Sequence, residues 1–174
     1  RAPDGLHWVR YWDLAASVRT SADYTASVAM AMGADGTVYL RDMIRGRWEW
    51  PDQKKILMST MLAEPAVEHG IEKALHGIAA VQDLLREREL ARVAFRGIDV
   101  DRDKYARALP LSRRAEEGKV ALVSGPWIPA FISELCVFTG SDDAGHDDQV
   151  DAASGCLSML AEPTAVQYIP SIWR

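Results

Sequence analysis

Cysteine is scarce: among 174 residues there are two, Cys136 in ELCVF and Cys156 in SGCLS. No CxxC pair and no Cys/His spacing of a zinc site is present, so a zinc module is excluded and both thiols are expected to be buried and reduced. Long apolar runs are missing as well. No stretch nears the roughly 18 apolar residues that span a bilayer, and the opening RAPDGLHWVR lacks the apolar centre of a signal peptide. A protein of the cytosol, neither secreted nor in a membrane, is the expectation. A basic excess is lacking too. Twenty Lys and Arg against 25 Asp and Glu leave a net charge of −5, which argues against indiscriminate nucleic-acid binding, because phosphate contacts need cations. Internal repeats and low-complexity linkers are absent, and 48% hydrophobic residues over this length suit one domain with one buried core.

What the chain does have is acid at three separated places: Asp13 in RYWDLAAS, Glu72 in GIEKALHG, and Asp147, Asp148 and Asp151 in HDDQVDAASG. Each falls where a strand ends or a helix begins. Carboxylates delivered from distant parts of a fold can converge, and the usual reason to hold several like charges together is a pair of divalent cations. Metal-dependent cleavage of phosphodiesters is therefore the leading expectation. Basic residues gather in two stretches, Arg41, Arg45, Arg47, Lys54 and Lys55, then Arg102, Lys104, Arg107, Arg113, Arg114 and Lys119. Standing alone, such runs are more often solvated faces than binding sites.

The elements follow from period and punctuation. HWVRYWDLA alternates as a two-faced strand with Asp13 near its end, and strands over about 25–32 and 37–44 are joined by a tight turn at Gly33–Gly36. Pro51 opens a helix to about Ala63 whose apolar face is Ile56, Leu57, Met61 and Leu62. AVEHGIE is a short strand ending in Glu72. A helix over 76–88 presents Ile78, Val81, Leu84 and Leu85, and RVAFRGI is a strand, parallel to the one before. DRDKYARALPLSRRAEEG gives a helix interrupted near Pro110, KVALVSG a strand, PWIPAFISELCVF a helix, and HDDQVDAASGCLSMLA a final helix with an Asp-rich start. The tail from Pro163 has no clear periodicity. Three antiparallel strands followed by alternating helices and strands make an α/β fold, a mixed central sheet with helices on both faces.

An antiparallel start with Asp on the first strand, an acid after the fourth, and an Asp pair opening the last helix resembles the ribonuclease H-like fold of two-metal nucleases. Within it, RYWDLAAS, GIEKALHGIAAVQDL, KYARALPLSRRAEEGKV and HDDQVDA together resemble the C-terminal nuclease domain of the large terminase subunit of tailed bacteriophages, over about residues 8–160. That family also has an ATPase motor, whose Gly-Lys-Ser/Thr phosphate loop is absent here, as expected of a single nuclease domain over residues 1–174.

The resemblance implies an endonuclease that cuts concatemeric double-stranded viral DNA during genome packaging. It implies two Mg²⁺ or Mn²⁺ ions about 3.5–4 Å apart, bridged by Asp13. Glu72 is the second ligand, with Glu68 in reserve on the same strand face. Asp148 is the first choice for the third, Asp147 its near-equal competitor, and Asp151 an auxiliary ligand or an acceptor behind the ligands. Lys104, Arg107, Arg113, Arg114, Arg45 and Arg47 are candidates to hold DNA phosphates without reading bases. By the same resemblance the partners are the ATPase domain, the small terminase subunit and the portal protein, and the place is the host cytoplasm at the procapsid. The isolated domain is expected to be a monomer.

His146 beside Asp147 is either a phosphate contact or an exposed loop residue. His69, Glu72 and His76 do not have the helical spacing of a zinc protease. Trp48 and Trp50, beside Arg45 and Arg47, either pack or flank a nucleic-acid groove. Other readings are a relative of the same fold, such as a Holliday-junction resolvase or a transposase, and a non-catalytic docking module of the packaging motor.

Overall fold

The computed structural model describes residues 1–16, 24–74, 76–100, 103–140 and 146–161. Six strands form one sheet in the order β5-β4-β1-β2-β3-β6. They are β1 (Trp8–Asp13), β2 (Thr25–Met32), β3 (Val38–Gly46), β4 (Glu68–Glu72), β5 (Phe95–Ile98) and β6 (Val120–Leu122). β2 runs antiparallel to both β1 and β3, while β1, β4 and β5 pair in parallel, as do β3 and β6. This is the mixed sheet the sequence pattern calls for, with β1 to β4 within two residues of their expected bounds and β5 and β6 each three residues shorter at one end than expected.

Helices cover both faces. α1 (Trp50–Ala63) and α2 (His76–Leu84) lie on one side, where Trp12, Ile71, Leu57, Met61 and Leu84 pack together. α3 (Lys104–Glu116), α4 (Ile128–Val137) and α5 (Asp148–Ala161) serve the other, where Val9, Tyr11, Val28 and Met30 meet Leu111, Phe131 and Leu157. The alternation along β1 therefore sends Val9, Tyr11 and Asp13 toward α5 and Arg10 and Trp12 toward α1. Arg10 is buried nonetheless. It is neutralised by Glu64 at 2.8 Å and Asp42 at 2.6 Å, the pairing that burial of a charge requires.

α5 comes unusually close to the sheet. It is buried on nearly every side, and a Cβ added at Gly155 would stand 2.5 Å from the Tyr11 ring. The small run Ala152–Gly155 is what permits the approach.

Four expectations are corrected. α3 runs unbroken through Pro110, because Pro110 and Ala106 are both exposed and the carbonyl that loses its donor can turn to water. The second helix ends at Leu84 and a 3₁₀ turn, Arg88–Leu90, follows; Gly77, Ala80 and Leu84 face inward, leaving Ile78 and Leu85 exposed. On α1, Leu57 and Met61 are buried but Leu62 is exposed, since the stripe is one residue narrower than the apolar run. Cys136 is exposed on the outer side of α4, whereas Cys156 is buried. The segment from Pro163 lies outside the described residues, as does Arg102. Among the described residues no helix is long and apolar enough to cross a membrane.

Candidate functional site

Parallel pairing of β1 and β4 sets Trp12 opposite Ile71, so Asp13 and Glu72 are the next position on each strand. Paired residues of parallel strands point to the same face, here the α5 face. Glu72 accepts the Tyr11 hydroxyl at 3.0 Å, which fixes its carboxylate over the sheet edge. α5 starts above that edge and adds Asp148 and Asp151, both nearly inaccessible to solvent.

Electrostatics show how tightly the acids are gathered. Asp13 keeps partial access to solvent, yet its carboxyl is held well above the usual carboxylate range by burial and then by the charges of Glu72, Asp151 and Asp148; Lys104 opposes the shift. Asp151 is also raised, chiefly by burial, with Arg107 and Lys104 opposing. Lys104 and Arg107, one turn apart at the start of α3, supply the local countercharge. Lys104 Nζ lies 2.9 Å from Asp147 and 3.3 Å from Asp151; Arg107 lies 2.9 Å from Asp151 and 3.7 Å from Glu72. That grip pushes the Lys104 ammonium upward despite the cost of desolvation.

The ligands the sequence proposes thus divide. Asp13, Glu72, Asp148 and Asp151 share one field, and Asp147 turns to Lys104. Glu68 sits at the other end of β4, roughly 13 Å along the strand from Glu72, and is paired with Arg96 at 2.9 Å. His69 is on the opposite face, its Nδ1 accepting the Trp12 indole at 3.2 Å, and His76 meets Trp50 edge to face at 5.0 Å, so neither joins the acids.

The donors are oxygen throughout, which suits hard divalent cations. The crowding of Asp13 by the Glu72, Asp151 and Asp148 charges is what a bound cation would relieve. Among the described residues, no three His, Cys, Asp or Glu side chains are close enough to grip one ion; Lys104 and Arg107 hold Asp147, Asp151 and Glu72. The set fits a metal in chemistry and charge.

The basic residues also divide. Arg45, near the end of β3, and Arg47, just past it, lie at the same edge as Asp13, their guanidinium groups 3.8 and 4.0 Å from the Tyr24 ring centre. The Tyr24 amide donates to Asp148 at 3.0 Å, and His146 meets the same ring at 4.8 Å and Arg47 at 3.3 Å. Arg114 is elsewhere: it donates to the Gly36 carbonyl at 2.6 Å, at the far end of β2 and β3. Arg113 is exposed on α3, roughly 13 Å along the helix from Lys104. Trp50 packs, donating to Asp83 at 3.1 Å. A cavity of about 480 Å³, lined by Leu109, Phe131, Leu135 and Phe138, lies between α3, β6 and α4 and is apolar, unlike the acid edge.

One participant was missed. Glu134 of α4, almost wholly buried, accepts from the backbone amides of Gln149 at 2.6 Å and Val150 at 3.1 Å, the open N–H groups of α5. An acid inside the amphipathic run FISELCV carries no sequence mark of such a role.

Residues 10–160 match the family model described as the terminase RNaseH-like domain. The chain belongs to that family. Among solved structures, the terminase RNaseH-like chain is similar to the human cytomegalovirus terminase nuclease domain, Mn-soaked and inhibitor-bound, at 14% identity and TM-score 0.66, covering 90% of this chain and 83% of that one. It is similar to the large terminase nuclease of thermophilic phage G20c with bound magnesium at 16% identity and TM-score 0.65, covering 90% and 82%. The yeast mitochondrial Holliday junction resolvase Ydc2 follows at 11% identity and TM-score 0.53, covering 88% and 81%. No curated protein matches. This terminase RNaseH-like domain therefore has the ribonuclease H-like fold.

Proposed function

We propose that this chain is the nuclease domain of a terminase large subunit and cuts concatemeric double-stranded viral DNA by two-metal hydrolysis during packaging. The observation that supports it most is the adjacency of Asp13 and Glu72 on parallel strands beneath the acids of α5, in a member of this family. Two Mg²⁺ or Mn²⁺ ions, when bound, supply activation of water and stabilisation of the leaving 3′ oxygen. Asp13, Glu72 and Asp148 would hold them, with Asp147 and Asp151 beside. Tyr11 orients Glu72, and the Tyr24 amide orients Asp148. Arg45 and Arg47 on one flank and Lys104 and Arg107 on the other would receive backbone phosphates, which positions a duplex without reading its sequence. Its working partners would be the ATPase motor, the small subunit and the portal, in the host cytoplasm at the procapsid, with the isolated domain a monomer.

Plasmid cleavage in Mn²⁺ tests the reading. Asp13→Ala is expected to lower the rate by roughly a thousandfold, about 4 kcal/mol of transition-state stabilisation, while circular dichroism shows it folded. Undiminished cleavage would sink the assignment, and a preference for four-way junctions over linear duplex would move the chain to the resolvases.

A further inference from the structure

The start of α5 is capped from outside itself. The Asp147 carbonyl accepts the Asp151 amide at 2.9 Å, so by backbone Asp147 is the N-cap residue and Gln149 and Val150 are the second and third helical positions. An aspartate there ordinarily folds its side chain back onto one of those two amides. Here both amides are taken by one oxygen, Oε1 of Glu134, while Oε2 accepts the Gln149 side-chain amide at 2.6 Å and lies 3.6 Å from the Arg45 guanidinium, an ion pair that Glu134→Gln would give up. Asp147 consequently reaches the other way, both its oxygens at 2.9 and 3.1 Å from Lys104 Nζ at the acid edge. Asp148 turns one oxygen to the Tyr24 amide at 3.0 Å.

We propose that Glu134 is a positioning residue: it occupies the amides that Asp147 would otherwise cap, and so keeps the Asp147 carboxylate available to the cations of the acid site. The inference rests on the metal-site reading above. It requires a buried acceptor on α4 rather than a charge as such. Glu134→Gln keeps Oε1 in place, and the Gln149 amide can turn over to match. Glu134→Ala leaves two open amides directly beneath Asp147, which then closes on them.

Calorimetric titration of the folded domain with Mn²⁺ tests this, with amide hydrogen exchange as a second readout. Glu134→Ala should weaken Mn²⁺ binding by about tenfold, as loss of a residue behind the ligands commonly does, while Glu134→Gln stays close to wild type. Asp147→Ala should weaken binding in the wild-type background and cost nothing more in the Glu134→Ala background; the Gln149 and Val150 amides should stay protected in the Glu134→Ala single variant, by Asp147, and lose protection in the double variant. Equal cost of Asp147→Ala in both backgrounds overturns the proposal, as does equal loss in the Gln and Ala variants, which would make the charge the cause. Should Glu134→Ala fail to fold, Glu134→Asp replaces it, keeping the charge but shortening the reach; binding weaker in Asp than in Gln supports the cap, and the reverse order overturns it. Mn²⁺ binding indifferent to Asp13→Ala removes the metal site itself and the inference with it. Binding lost in Asp13→Ala but unchanged in Glu134→Ala overturns the inference alone.

Discussion

His69 is wholly buried on β4, its ring held by the Trp12 indole on the apolar side of the sheet. Burial, and then the neighbouring Arg10 charge, lower its pKa to about 4. A histidine depressed in the fold takes up its proton more readily when unfolded, so the stability it confers is complete above its ordinary value near 6.5 and drains away as pH falls toward 4. The full loss is on the order of 3 kcal/mol. Urea unfolding of wild type and His69→Gln between pH 7 and pH 4 should show the wild type losing more, and parallel curves would refute the account. Residues of this kind mark the edge of what the sequence discloses. Asp13 and Glu72 were legible because an acid closing an apolar strand breaks the local pattern. Arg10 and Glu134 were not, because a charge inside a strand or an amphipathic helix looks solvated until its partners, 54 and 15 residues away, are folded beside it.

At the scale of elements, the site depends on how near α5 lies to β1. Gly155 faces the Tyr11 ring, and Tyr11 in turn holds Glu72, so the contact cannot open without disturbing an acid. Gly155→Ala gains helix propensity of roughly 1 kcal/mol but overpacks a rigid contact, which typically costs 1–3 kcal/mol. A net loss of about 1 kcal/mol in chemical denaturation, with weaker Mn²⁺ binding, is expected; an alanine variant as stable as wild type would mean the helix can back away freely. Strand order and helix order were readable from turns, period and chain sequence. Continuity through Pro110 and the inward turn of Gly77 and Ala80 were not, because each depends on which side of its helix meets the sheet.

For the whole molecule, a net charge of −5 includes acids concentrated at one edge, and that crowding is expected to lower the stability of the metal-free protein. Asp13 is raised in the fold, so its contribution is present below the ordinary carboxylate range and is lost as pH rises through the folded value. Asp13→Asn should therefore be the more stable form without metal at pH 8. Saturating Mn²⁺, at about a hundred times its dissociation constant, should stabilise the wild type by about 2.7 kcal/mol and leave Asp13→Asn nearly unmoved. Thermal melts of both proteins with and without Mn²⁺ check this, and a wild type that ignores the ion would contradict it.

Cys136 gives the molecule an unplanned ruler. Its thiol is exposed on α4, two residues past Glu134, while burial pushes the Cys156 thiol up to about 12 and keeps it unreactive. A nitroxide maleimide therefore goes to one place on the natural sequence, and paramagnetic broadening by bound Mn²⁺ would read the separation between α4 and the ions with no cysteine engineered in or out.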